Sequence, residues 1–221
     1  DRVGLLFLNI GHSYDHLFML LFPTLVLGLE SELNLPYSDL LKLSVPGFIA
    51  FAVGTLPAGW LGDRWSRSGM IAVFFFGIGG ASILTGFAQS PAQIAAGLTL
   101  MGLFASIYHP VGISMVVEGR SKVGKLLGIN GVFGNLGVAS AAIIAAGIME
   151  SISWQAAFII PGGISIITGA LYLLYLRIRP NSMPISEIKR DSELGGVSKT
   201  KSQLSSRQVM KRVFTVIAIA T

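Results

Sequence analysis

The sequence predicts an all-α, polytopic membrane fold. Three observations carry it. Of 221 residues, 52% are hydrophobic and only 12% charged, whereas a soluble domain carries about 25% charged residues. Six apolar runs are long enough to cross the membrane, since ~20 residues span the hydrocarbon core. All but one of the 16 lysines and arginines fall in alternate connections or at the ends of this six-run unit, Lys42 being the exception. Such a bias marks the cytoplasmic side. The net charge of +5 therefore reports orientation in a lipid bilayer, not a nucleic-acid partner.

The first run, 3–29, is too long and too polar in its middle for a cleavable signal. The others cover 41–61, 69–88, 92–117, 126–149 and 154–176. Connections are short, as antiparallel neighbours require. A polar, basic stretch then follows at 177–212, and 213–221 opens a further apolar run. The expected organisation is a six-helix bundle over 1–176, a linker over 177–212 and the start of a seventh helix at 213–221. Orientation by charge puts the N-terminus and the linker in the cytoplasm, and Glu30, Glu32, Asp39, Lys42 and Glu150 outside. Beginning at Asp1 and stopping inside an apolar run, the chain reads as a fragment.

Cysteine is absent, which excludes disulfides and thiolate metal sites. The sequence contains no phosphate-binding loop, nucleophile elbow or zinc-hydrolase motif. Neither an enzyme nor an ATP-driven pump is expected, and no cofactor or resident metal.

Between the second and third runs lies Gly59-Trp60-Leu61-Gly62-Asp63-Arg64-Trp65-Ser66-Arg67-Ser68. Charges at a membrane edge must pair or face water, and the glycines permit close approach of neighbouring backbones. Gly59, Leu61, Gly62, Asp63, Arg64 and Arg67 match the signature loop of the major facilitator superfamily, which this segment resembles. Ser66 stands where that family usually has glycine, and Ser68 where it has a second base. Ser153-Trp154-Gln155-Ala156-Ala157-Phe158 resembles a second family segment, with Gln155 in place of arginine.

The resemblance implies one half of a twelve-helix secondary transporter, the other six-helix half lying outside this chain. It also implies two inverted three-helix repeats, with spans one and four, two and five, and three and six equivalent. Asp63, Arg64, Arg67 and Glu118 would form a gate at the cytoplasmic side, with Asp63 on Arg67 or on a helix N-terminus of the other half, and Glu118 on Arg64 or Arg67. The expected location is the cell membrane, specifically a bacterial inner membrane. Gly11-His12-Ser13-Tyr14-Asp15, Tyr108-His109-Pro110 and Gly131-Val132-Phe133-Gly134-Asn135-Leu136-Gly137 look like the fosmidomycin-resistance type of exporter, although Val111 replaces its usual glutamate.

His12, Asp15 and His16 share a helical face, being three and four residues apart. Counting at ~1.5 Å per residue puts His12 and His109 about 12–14 Å from the cytoplasmic surface. Ionisable groups at that depth cost ~2.5–3.5 kcal/mol on insertion scales, so they should face a cavity or a partner. The expected site is His12, Asp15, His16, His109 and Asn135, binding a small-molecule substrate and protons, with Asp15 the proton carrier. Alternatives remain: a divalent-metal route using His12 and His16, an organic-anion carrier, or a membrane-bound binding or scaffold subunit. The plainest is interhelical hydrogen bonding, with Asp15 paired to His12 or His16.

Packing expectations complete the reading. Gly124, Gly128, Gly131, Gly134 and Gly137 should form a smooth contact strip on the fifth span, and Gly47 and Gly54 its counterpart on the second. Pro23, Pro46, Pro57, Pro110 and Pro161 should kink their helices. Phe74, Phe75 and Phe76 should face lipid or pack between helices. Tyr172 and Tyr175, with Arg177 and Arg179, should anchor the sixth span at the interface.

Overall fold

The structure, a computed structural model, describes residues 2–179, all within one compact unit. The predicted linker beyond 179 and the seventh helix lie outside the described residues.

Six helical spans are present, at Arg2–Leu33, Tyr37–Arg64, Arg67–Gly86, Pro91–Val117, Val123–Ser151 and Ala156–Ile178. The chain is a multi-pass membrane protein. The first, third, fifth and sixth are the single helices α1 (Arg2–Leu33), α4 (Arg67–Gly86), α7 (Val123–Ser151) and α8 (Ala156–Ile178). The second divides into α2 (Tyr37–Lys42) and α3 (Val45–Arg64), and the fourth into α5 (Pro91–Ala105), a π-helical turn (Tyr108–Gly112) and α6 (Ile113–Val117).

Local chemistry explains these boundaries. Ser66 Oγ accepts the Gly69 N–H at 2.8 Å and starts α4. This is the work of the serine that departs from the family motif. Ser90 caps α5 in the same way, with Pro91 in the first turn, where its missing N–H costs nothing. Pro46 likewise opens α3. Pro23, Pro57 and Pro161 sit inside uninterrupted helices. Only around Pro110 does the fourth span change hydrogen-bond register, because proline has no N–H to donate back along the helix.

The spans pair as inverted repeats require. Span one packs on span five, span two on span four, and span three on span six. Exchanging equivalents turns the first pair into the second and the third into itself. Small residues allow each crossing. A Cβ on Gly79 would lie 2.7 Å from the Gly162 carbonyl, and a Cβ on Gly162 would lie 2.7 Å from the Gly79 carbonyl. Gly102 meets the Gly47 backbone where span four crosses span two. Gly137 meets the Ser13 backbone where span five crosses span one.

Two packing expectations need correction. On α7 only Gly134 and Gly137 serve as contact glycines; Gly124, Gly128 and Gly131 have no described atom near a built Cβ. The repeated three-residue steps from 128 to 137 each fall about 60° short of a full turn, so these glycines spread around the helix. Tyr172 is not an interfacial anchor either. Its ring is buried against Phe7 and Phe75, because it falls on the inward face of α8. Phe74 and Phe75 are fully buried, which leaves Phe76 partly exposed.

Candidate functional site

The candidate site is built on α1, whose face at Asn9, His12, Asp15 and His16 meets span four and α7. The π turn is what makes span four fit. Tyr108 and His109, neighbours in this turn, both project toward α1. Tyr108 stacks on His12 with ring centroids 5.0 Å apart, and its hydroxyl donates to the Leu8 carbonyl at 2.6 Å. Gly11 and Gly112 make room for that ring; a Cβ on either would come within 2.9 and 2.7 Å of it.

His109 Nε2 lies 3.1 Å from Asp15 Oδ2, and Asp15 is 1% exposed. Its other oxygen, Oδ1, has no hydrogen-bond partner among the described residues. Asp15 therefore pairs across to span four, not along its own helix. His12 Nδ1 bonds the Asn130 carbonyl at 2.8 Å, and His12 Nε2 lies 3.2 Å from His16 Nε2. Gly134 backs the His12 ring, with a built Cβ 2.7 Å from it.

His12, Asp15, His16 and His109 thus come together; Asn135 does not. Asn135 is exposed on α7, and Asn130 takes the place expected for it. Asn130 Nδ2 donates to Asn9 Oδ1 at 3.0 Å and to the Tyr108 hydroxyl at 2.9 Å. Asn9, Tyr108 and Asn130 were not predicted as site residues. A signal existed for each: Asn9 is three residues before His12, Tyr108 precedes His109, and Asn130 is the other amide of an apolar span. A hollow of about 200 Å³ lined by Arg2, Leu5, Leu6, Asn9, Leu126 and Ile129 reaches the network from the charged end of the bundle.

At that end Arg67 joins two acids. It donates to Asp63 Oδ1 at 2.8 Å through one terminal nitrogen and to Glu118 Oε2 at 2.9 Å through the other. Arg64 takes no part; its guanidinium lies 5.2 Å over the Trp60 ring. Gly59 and Gly62 bring α3 against Pro110 and Val111 of span four. Gly119, at φ 66°, turns the chain out of α6 and sets Glu118 beside Arg67. Arg120 returns to donate to the Met115 and Val116 carbonyls at 2.9 and 2.6 Å. Burial lowers its pKa, against the opposing influence of Tyr175 and Glu118.

Inverted three-helix repeats around a buried ionisable cluster, with paired charges at one end, define a polytopic protein of the facilitator architecture. The model of the Major Facilitator Superfamily matches residues 14–221, and the chain belongs to that family. It is 26% identical over 177 residues to a putative glycerol-3-phosphate transporter 5 of Arabidopsis thaliana, covering 76% of this chain and 34% of that protein. It is 28% identical over 152 residues to the tetracenomycin C resistance and export protein of Streptomyces glaucescens, covering 66% and 28%. Among solved structures it resembles a bacterial homologue of the human lysosomal transporter Spinster, with TM-score 0.75, 15% identity, and 92% and 46% of the two chains covered. The chain spans 34% and 28% of the length of these two curated relatives.

Proposed function

We propose that the whole protein is a secondary transporter that exports a small solute in exchange for protons by alternating access. The observation that carries this reading is the buried Asp15–His109 pair, which joins repeat-equivalent spans. Membrane transporters of this build place substrate and ion sites near midplane, at the repeat interface. A carboxylate buried in a membrane marks an ion or proton pathway by default. With one oxygen on His109 and the other without a hydrogen-bond partner among the described residues, Asp15 is the place for a proton. A proton and a solute that both need this group cannot occupy it together, and that exclusion couples their movements. Arg67 with Asp63 and Glu118 is the latch that holds the cytoplasmic side shut and breaks when the bundle rocks. The proposed membrane is a bacterial inner membrane, with Arg67 on its cytoplasmic side.

A relative named as the tetracenomycin C resistance and export protein favours export. The Arabidopsis relative, named for a phosphate ester, favours an organic anion as the solute under the same mechanism. The test is flux in proteoliposomes holding the full-length protein, with and without an imposed pH gradient. Asp15→Asn is expected to abolish pH-driven flux while leaving solute exchange at equal pH measurable. Full pH-driven transport in that variant would overturn the assignment.

A further inference from the structure

We propose that His12, His16 and His109 form a binding site for one divalent transition-metal cation of the zinc type. One ring nitrogen from each lies within 4.8 Å of the others. Hydrogen bonding decides which nitrogens are available. The Asn130 carbonyl can only accept, so His12 Nδ1, 2.8 Å away, carries the proton. In the neutral ring this leaves Nε2 as a lone pair. Asp15 takes the proton on His109 Nε2 at 3.1 Å, which leaves Nδ1 as the lone pair of that neutral ring. A backbone carbonyl behind one imidazole and a carboxylate behind another are the outer contacts that metal-binding histidines almost always make, fixing tautomer and ring orientation.

Spacing supports the same conclusion. His12 Nε2 and His16 Nε2 are 3.2 Å apart. Two imidazole nitrogens at that distance share either one proton or one cation. Zinc–nitrogen bonds arranged tetrahedrally set their nitrogens about 3.3–3.4 Å apart. The 4.8 Å limit on the triad exceeds that edge by about 1.4 Å, so the rings must draw together as the cation binds. Three imidazoles favour zinc, nickel or copper over magnesium and calcium, which need oxygen ligands. Asp15 supplies negative charge beside the triad without entering it. Three protein ligands leave the fourth tetrahedral position for water or a solute group.

The full-length protein, purified without an affinity tag, is titrated with Zn²⁺ by calorimetry and with Co²⁺ by visible absorption. One Zn²⁺ per chain and the strong visible bands of tetrahedral Co²⁺ are expected, with no competition from Mg²⁺. His16→Ala should lose both signals, and so should His16→Gln, which keeps the side-chain volume and guards against loss of fold. Asp15→Asn should weaken Zn²⁺ binding by about 10–100-fold, as removal of an outer partner does. Absence of zinc heat and cobalt bands, or unchanged stoichiometry in both His16 variants, would overturn the site. This inference does not require transport: cation binding tests the triad and pH-driven flux tests Asp15, so either can fail alone.

Discussion

Arg67 shows how much one residue can be asked to hold. Its two acidic partners differ in exposure: the Asp63 side chain is 66% exposed and that of Glu118 19%. An exposed pair contributes about 0.2–1 kcal/mol, and a charged hydrogen bond away from water about 1.5–3 kcal/mol. Glu118→Gln should therefore lower thermal stability in micelles more than Asp63→Asn. Both should slow transport, while solute affinity changes less, because the latch is remote from the cluster. A ligand-binding measurement beside initial rates checks this. Equal slowing of rate and loss of affinity would deny the latch its role. At the cluster, Tyr108→Phe removes the hydroxyl that satisfies Leu8 and receives Asn130. One Asn130 N–H is then left without its acceptor, at about 1–3 kcal/mol, so the unfolding midpoint should fall.

Elements meet through glycine at a few places, and these separate contact from spacing. Gly134→Ala puts a Cβ 2.7 Å from the His12 ring. Overpacking of this kind costs about 1–3 kcal/mol, and here it also pushes His12 off Asn130 and Tyr108. Gly124→Ala meets no described atom and gains helix propensity of up to about 1 kcal/mol. Thermal unfolding of the two variants should shift in opposite directions. The π turn is the second element-level device. In it the neighbours Tyr108 and His109 both reach α1, Tyr108 stacking on His12 and His109 pairing with Asp15.

For the whole molecule, the testable property is orientation. These 221 residues hold no cysteine, so a single cysteine placed among them reports sidedness when compared with the protein lacking it. Ser38 and Ser121 are exposed at opposite ends of the bundle. In intact cells, Ser38→Cys should react with an impermeant thiol reagent and Ser121→Cys only after permeabilisation. The reverse pattern would invert the proposed topology and put the Arg67 latch on the outer side. The same repeat logic explains why spans two and five are alike: each buries 22% of its apolar window inside the bundle. Their remaining faces are apolar because lipid or further protein, not water, surrounds them.

Sequence alone determined the membrane class, the six spans and the face that gathers His12, Asp15 and His16. Those features depend on composition and on the helical repeat, both of which are local. It also selected Arg67 as a paired charge, because the motif spacing puts Asp63 one turn before it. Tertiary structure decided the partners: His109 for Asp15, Glu118 for Arg67, Asn130 in place of Asn135, and two contact glycines among the five expected on α7. Each of these choices turns on where one helix crosses another and on a single register change at Pro110. Such distances arise only when the repeats fold against each other, since no window along one helix contains both partners.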